Sequence, residues 1–347
     1  MWSPSQFQTN PTVSDQESNT TPPVLHKVLV TGAAGFIASR VTAQLLDAGV
    51  EVIAIDNYND AYDARLKNLR ASEFEGKEGV QLIEGDIESA ELVNRVFAEN
   101  NFDCVFNLAA RAGVRYSLVD PHVYFSTNVT GSLNILQAMR EHEIKKLVIA
   151  STSSLYAGLP MPFKEDLPVN EPLSPYAASK KAAEVLAYTY HHLFDLDVSV
   201  LRYFTVYGPA SRPDMAVFRF IRWIDEGTPI EMFGDGTQAR DFTHVEDIAR
   251  GTILAAKPLG YEVINLGGGK QPTSMNTLIE GMERRLGKKA VIENKPFHAA
   301  DMKDTWADIS KANRLLGWQP EVSLEEGLDQ AVEWYLQNRE FAQGLVI

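Results

Sequence analysis

A doubly wound parallel α/β sheet with helices on both faces, joined to a smaller C-terminal α/β lobe, is the fold predicted by this 347-residue sequence. Three observations predict it. Short apolar, β-branched runs alternate with helix-like stretches from Val24 to Phe204, the rhythm of strand, helix, strand. The runs are apolar on both faces, which suits strands covered by helices above and below. A closely spaced glycine pair joins the first run to the first helical stretch.

The elements follow in order. "KVLVTG" (Lys27–Gly32) is a strand ending in glycine. "EVIAIDN" (Glu51–Asn57), "VQLIEGD" (Val80–Asp86), "CVFNLAA" (Cys104–Ala110), "KLVIAST" (Lys146–Thr152) and "VSVLRYF" (Val198–Phe204) repeat the pattern. Helical periodicity fills the gaps over Ala90–Ala98, Gly131–Glu141 and Tyr176–Phe194. After about Gly208 the rhythm loosens as Gly, Pro and Arg rise. Residues 24–204 therefore read as a dinucleotide-binding domain. Residues 205–347 read mainly as a ligand-binding lobe over the carboxyl edge of the sheet, with some segments returning to the first domain. Residues 1–23 are rich in Ser, Thr, Gln, Asn and Pro and read as a disordered tail. They have neither the basic start nor the apolar core of a signal peptide.

Composition narrows the function. Acidic residues outnumber basic ones, 46 to 32, for a net charge of −14, which argues against nucleic acid or an anionic membrane as partner. The single cysteine, Cys104, permits no disulfide and no cysteine zinc site and points to the cytoplasm. No stretch approaches the roughly 18 apolar residues of a membrane span. No His/Asp/Glu cluster has metal-ligand spacing.

"TGAAGFIAS" (Thr31–Ser39) places Gly32 and Gly35 between a strand and a helix. Glycine there allows a tight turn and close approach to a pyrophosphate, which the helix N-terminus attracts. Asp56 ends the next strand, 24 residues past Gly32. A carboxylate at that spacing holds the adenosine ribose hydroxyls and repels a 2′-phosphate, favouring NAD over NADP. Asp86 ends the following strand, within reach of the adenine, and "NLAA" (Asn107–Ala110) ends another with small residues.

"LSPYAASKKAAEVL" begins a helix with Ser174 as cap and Pro175 in the first turn. Tyr176 and Lys180 are four apart and share a face. A lysine ammonium and a cationic nicotinamide both favour the phenolate of a tyrosine whose ordinary pKa is about 10. Such a pair can deprotonate an alcohol while NAD takes its hydride. Lys181, four residues after Ala177, reads as the solvent-facing lysine.

"TGAAGFIAS", "NLAA", "STSSLY", "SPYAASK" and "RDFTHVEDI", in this order, resemble the extended short-chain dehydrogenase/reductases that modify nucleotide sugars. The resemblance spans Val24 to Glu333 and implies a Rossmann-type domain and a catalytic triad of Thr152, Tyr176 and Lys180. It implies a tightly bound NAD, regenerated each cycle, held by Gly32, Ala34, Gly35, Phe36, Ile37, Asp56, Asn57, Asp86 and Ile87. Leu108, Ala109, Ala110, Tyr203, Thr205 and Val206 complete that set together with Tyr176 and Lys180. It implies substrate contacts from Arg111, Val114, Arg115, Ser153, Ser154, Thr205, Arg212, Met215, Phe218, Phe233, Gln238, Arg240 and Asp301. Members of the family commonly pair their Tyr–Lys helices in a homodimer.

Relatives that eliminate water carry an Asp–Glu pair after the catalytic Thr, and relatives that decarboxylate carry a Glu two positions after it. Here Ser153 and Ser154 stand there, which leaves oxidation at sugar C4, rotation and hydride return. From Arg202 to Arg222 there are four arginines and one acid, Asp214, a cationic cluster suited to a carboxylate or diphosphate. Arg219 and Arg222 fit a solvated helix face equally well. "TVYGP…RPDMA" resembles the UDP-glucuronate 4-epimerases, in which Thr205 and Arg212 would grip the sugar carboxylate and Arg240 would meet the UDP. An Arg common near "HAADMKDTWAD" is missing, leaving His298 and Lys303 as candidates for a second diphosphate contact. A UDP-glucose/UDP-galactose 4-epimerase or another epimerase of the family is the alternative. A reductase fits less well because of Asp56 and the arginines, and a cofactor sensor because Tyr176 and Lys180 are both kept. His244 reads as a structural turn residue.

Overall fold

Side chains alternate along the strands of the main sheet, and in the central strands both sets are buried, as two covered faces require. In the computed structural model, which describes residues 23–297 and 302–346, β1 (Lys27–Thr31) points Val28 and Val30 to one side and Leu29 to the other. The next strands are β2 (Glu51–Asp56), β3 (Val80–Glu84), β4 (Cys104–Asn107), β5 (Lys146–Thr152) and β6 (Asp197–Tyr203). Beyond them lie β7 (Thr205–Tyr207), β8 (Ile230–Phe233), β9 (Ala239–Arg240), β10 (Phe242–His244), β11 (Tyr261–Leu266), β12 (Thr273–Ser274) and β13 (Ile292–Lys295). Among the described residues, seven strands form one sheet in the order β11-β6-β5-β4-β1-β2-β3, parallel throughout. The predicted Rossmann-type sheet is thus present. The seventh strand, β11, comes from the loosely patterned half of the chain and pairs Tyr261 with Val198 through Leu266 with Tyr203.

The first helices are α1 (Phe36–Asp47), α2 (Ala64–Ser72), α3 (Ala90–Glu99), α4 (Val114–Ser117), α5 (His122–Phe125), α6 (Ser132–Glu141) and α7 (Pro175–Phe194). The second half adds α8 (Ala216–Glu226), α9 (Val245–Leu254), α10 (Met275–Leu286), α11 (Ser310–Leu316), α12 (Leu324–Gln337) and α13 (Arg339–Gly344). One sheet face packs on α1, α9 and the fully buried Trp318, whose indole donates to the Asp247 carbonyl at 2.9 Å. The other face packs on α3, α6 and α7. A third core joins α8, α10 and α12 through Phe218, Ile221, Leu278, Met282 and Tyr335. No helix among the described residues is long and apolar enough to cross a membrane. The tail expected over residues 1–23 lies, but for Pro23, outside the described residues.

A buried ion pair ties α7 to the sheet. Arg202 on β6 donates Nε and Nη2 to the two carboxylate oxygens of Glu184 on α7, at 2.9 and 2.8 Å. Ser151 on β5 donates to the same carboxylate at 2.7 Å. Arg202 also donates to the Tyr156 hydroxyl at 2.8 Å, which donates to Asn265 on β11 at 2.7 Å. Ser151 therefore does more than end its strand. Lys181 is half-buried rather than solvent-facing, because its Nζ turns to Glu184 three residues on, at 3.7 Å.

Both partners of this pair are almost inaccessible, with side-chain exposures of 3% for Arg202 and 4% for Glu184. Glu184→Ala is expected to lose about 3–5 kcal/mol of unfolding free energy, the usual cost of stranding one buried charge. Urea titration at fixed cofactor load measures this. A loss below about 1 kcal/mol, the range of a surface pair, contradicts it.

Candidate active site

Strand order reverses between β1 and β4, and at such a switch point the carboxyl ends of a parallel sheet open a crevice. Gly32 follows β1 with φ +70°, and a Cβ there would lie 2.7 Å from the Ala109 Cα. A Cβ on Gly35 would lie 2.8 Å from the Gly32 carbonyl oxygen. Both glycines are thus demanded by the protein's own backbone, before any cofactor is considered. Gly35 starts α1 with no side-chain cap and no acid in the first turn, so the helix opens with free N–H groups and an unopposed dipole. Gly32, Gly35, Phe36, Ile37, Leu108 and Ala110 line a cavity of about 580 Å³. These residues fit a dinucleotide diphosphate.

Asp56 serves the loop as well as any ligand. Its carboxylate accepts from Ala34 N at 3.0 Å and Tyr58 N at 2.8 Å, with Lys67 Nζ at 3.7 Å. Ala34 and Ala109 act through their backbones, Ala109 N donating to Thr31 Oγ1 at 3.1 Å. Asn57 donates to Asp86 at 2.7 Å, and the pair lies at the ends of β2 and β3, outside the lining of the main cavity. Ile87 is buried against Gly131.

The catalytic candidates converge. Thr152 ends β5, and its hydroxyl accepts from Ser154 N at 3.1 Å, capping the short turn Ser153–Tyr156. Tyr176 stands in the first turn of α7, where Ser174 accepts from Ala177 N at 3.2 Å. Burial pushes the Tyr176 phenol up, while a hydrogen bond with Thr152 and the charge of Arg212 pull it down. Lys180 Nζ donates to the Ala150 carbonyl at 2.9 Å. Burial pushes its ammonium down to about 8, against the opposing pull of Glu184. The Lys180 side chain reaches back to β5, and Thr152 and Arg212 are the groups that lower the Tyr176 phenol. Thr152, Ser153, Ser154, Tyr176, Lys180, Tyr203, Thr205 and Val206 all line the cavity.

Toward the lobe, Val114, Arg115, Arg212, Met215, Phe233, Gln238 and Arg240 line the same cavity. Arg212 forms a fork with Asp214, at 3.0 Å from Nε and 2.7 Å from Nη2, and also donates to the Ala112 carbonyl at 3.3 Å. Asp214 thus aims the guanidinium rather than merely diluting the cluster. Arg240 donates to the carbonyls of Ala239 and Lys303, both at 2.9 Å. Arg111 lies outside the lining and faces Asp60 at 3.7 Å. Phe218 is not a substrate contact: it is 3% exposed and packs on Trp334 and Tyr335 in the lobe core, because it points away from the Arg219 side of α8. Arg222 pairs with Glu226 at 2.9 Å and donates to the Leu345 carbonyl at 2.7 Å. His244 caps α9 by accepting from Glu246 N at 3.4 Å, the structural role expected. Asp301 and His298 lie outside the described residues.

Sequence reasoning missed Tyr62, Gly113, Trp223, Met232, Met302 and Thr305, all of which line the cavity. Tyr62 had a signal in the polar segment after Asp56, but the others come from elements joined only by tertiary contact. Met302 and Thr305 belong to a strap anchored on Asp241. The Asp241 carboxylate accepts from Ala307 N at 2.8 Å and Gly269 N at 3.3 Å, and Asp241 N donates to Thr305 Oγ1 at 3.2 Å.

Burial pushes the Asp241 carboxyl up to about 6, against hydrogen bonds from Ala307, Gly269 and Gly268. A carboxyl raised above its unfolded value of about 3.9 contributes stability that is fully present below that value and lost as pH rises through its folded pKa. Relative to Asp241→Asn, the native protein should therefore lose on the order of 2 kcal/mol between about pH 4 and pH 7. Parallel stability curves for the two proteins contradict this.

Residues 28–267 match the NAD dependent epimerase/dehydratase family. The UDP-glucuronate 4-epimerase of Thermodesulfobacterium geofontis is 57% identical over 319 residues, 92% of this chain and 99% of the relative. The Bacillus cereus UDP-glucuronic acid 4-epimerase, solved with UDP-glucuronic acid and NAD, superposes with a TM-score of 0.85 at 39% identity, covering 90% of this chain and 99% of that one. The Thermotoga maritima UDP-glucose 4-epimerase, solved with UDP-glucose, gives 0.82 at 32% identity with the same coverages. The chain belongs to the NAD dependent epimerase/dehydratase family.

Proposed function

We propose that this protein is an NAD-dependent UDP-glucuronate 4-epimerase, interconverting UDP-glucuronate and UDP-galacturonate. One observation carries the choice within the family. Arg212 acts electrostatically on Tyr176 in a cavity where Ser153 and Ser154 follow Thr152 and no acid does. The site thus offers a carboxylate anchor beside the reacting hydroxyl and serines, not acids, at the two positions after Thr152. The relatives' names and the solved complexes with UDP-glucuronic acid support the reading. A UDP-glucose 4-epimerase among the neighbours keeps the alternative substrate in the test.

The free N–H groups of α1, Asp56 and the end of β4 would hold NAD, which when bound would take up the C4 hydride and give it back. Tyr176 removes the C4 hydroxyl proton as C4 is oxidised, and Thr152 orients that hydroxyl. After the keto sugar turns over, Tyr176 returns the proton as hydride adds to the opposite face. The 4-keto intermediate is a β-keto acid, which loses CO₂ when its carboxylate bond aligns with the carbonyl π system. Arg212, fixed by Asp214, and Thr205 hold the carboxylate out of that alignment. Residues 24–204 bind NAD and 205–347 mainly the nucleotide sugar. A homodimer through α7 is part of the proposal, supported by Val185, Tyr188 and Leu193 exposed along that helix, as is a cytoplasmic setting, supported by the single cysteine.

Purified protein given UDP-glucuronate or UDP-glucose with no added cofactor should turn over only the first and release NAD on denaturation. Turnover of UDP-glucose at a comparable rate rejects the carboxylate reading. Tyr176→Phe should lower kcat by about 10²–10⁴-fold, the range for a lost general acid–base, with NAD retained.

Arg212→Ala should lower epimerisation and raise the share of UDP-pentose among the products. Lost epimerase activity with no rise in decarboxylation rules out the restraining role of Arg212.

A further inference from the structure

Arg70, on α2, is 2% exposed and makes no ion pair among the described residues. A buried cation without a counterion is tolerated only when its donors are used. Arg70 spends them on three separate segments. Its Nε and Nη2 donate to the Ala210 carbonyl at 3.0 and 2.7 Å. Its Nη1 donates to the Tyr62 hydroxyl at 2.7 Å and to the Ala34 carbonyl at 3.3 Å. The guanidinium also lies against the rings of Phe36 and Tyr62, its carbon 5.6 and 5.4 Å from their centroids.

Each segment leads to the active-site cavity. Ala34 stands between Gly32 and Gly35, and its N–H is held by Asp56 at 3.0 Å. With Arg70 on the Ala34 carbonyl, the glycine turn is pinned from the end of β2 and from α2 together. Ala210 comes two residues before Arg212 and has φ +51°, a left-handed conformation that alanine rarely adopts. Such a conformation persists where neighbouring contacts hold it, and the two bonds from Arg70 do so. Tyr62 lines the cavity, and the Arg212 guanidinium lies over its ring, the carbon 5.7 Å from the centroid. Both routes from Arg70, through Ala210 and through Tyr62, therefore end at Arg212, which lines the cavity with Thr152 and Tyr176. The Asp214 fork orients the Arg212 guanidinium from within the same loop, so it cannot place that loop against the sheet. Apart from a bond to the Ala112 carbonyl at 3.3 Å, that placement falls to Arg70.

We propose that Arg70 is a positioning residue for substrate selection. Anchored on the glycine turn, it holds the turn that carries Arg212 and the ring beneath Arg212, and so sets where that guanidinium meets the sugar carboxylate. This rests on the reading of Arg212 as the carboxylate anchor given above.

The test is a double-mutant cycle read by calorimetric titration of the NAD-loaded protein with UDP and with UDP-glucuronate. Arg70→Lys keeps the charge and loses the fork. It should weaken UDP-glucuronate by about fivefold to fiftyfold, within the range for coupled neighbours, and change UDP by less than about twofold on the same scale. Arg212→Ala should show the same selectivity. Adding Arg70→Lys to Arg212→Ala should weaken UDP-glucuronate no further. If Arg70→Lys loses the native circular dichroism, Tyr62→Phe takes its place in the cycle, because it removes only the hydroxyl that Arg70 holds and leaves the ring. Equal weakening of UDP and UDP-glucuronate by the Arg70 or Tyr62 variant marks a merely structural role and overturns the proposal. Additive losses in the double variant, or no loss in the single one, overturn it as well. Arg212→Ala without effect on UDP-glucuronate refutes the carboxylate reading itself, and the role of Arg70 falls with it.

Discussion

The Glu184–Arg202 ion pair, buried where β5 and β6 end against α7, is the constraint on which the site's geometry depends. Glu184 is one helical turn beyond Lys180, so the fork that fixes Glu184 also fixes the rotation of α7. That rotation decides where Tyr176 and Lys180 meet the strand ends. Ser151 bonds to the same carboxylate and is the neighbour of Thr152, so the hydroxyl partner of Tyr176 is set by the same contact. The chain of bonds continues through Tyr156 to Asn265, which donates to the Phe163 carbonyl at 2.9 Å. One charge pair thereby joins the catalytic helix, two central strands and the seventh strand. Its desolvation cost is met by a complete set of partners, the condition under which a buried pair is tolerated.

Catalytic and binding groups share the cavity but draw on different electrostatics. At the sheet edge the cofactor side uses backbone donors and helix dipole, with few side-chain charges. On the lobe side the site uses arginines in a chain whose net charge is −14. Local charge opposes overall charge there: Arg115 and Arg219 stack on aromatic rings, and Asp214 holds the Arg212 fork.

Much of this was legible in sequence because it is local. Six strands could be read from apolar runs, and five of them are buried on both faces, where no polar alternation blurs the run. The Tyr176–Lys180 pair needed only helix periodicity, and Gly32–Gly35 only a strand–turn–helix context. Other features were illegible. β11 begins with Tyr261 and Glu262, half-buried at the open edge of the sheet, so its pattern is weaker. Phe218 was misplaced because adjacent residues on a helix point about 100° apart, and a motif match does not say which of them faces inward. The Ser151–Glu184 contact was not legible because the two residues lie 33 apart in the chain.

By itself, then, the sequence determined the layered α/β fold, the glycine turn, the hydroxyl–tyrosine–lysine set and the absence of an acid after Thr152. The glycine turn and the Tyr176–Lys180 pair are matters of residue type at short spacing, whereas Thr152 and the serines after it take their meaning from the family resemblance. Only the tertiary structure decided which arginines reach the cavity and what each one faces. It showed Arg222 spent on Glu226 and on the Leu345 carbonyl, Arg202 on Glu184, Arg212 aimed by Asp214, and Arg219 held over Trp223. The physical reason is that a charge acts through distance and dielectric, and both are properties of the packed molecule rather than of the order of its residues.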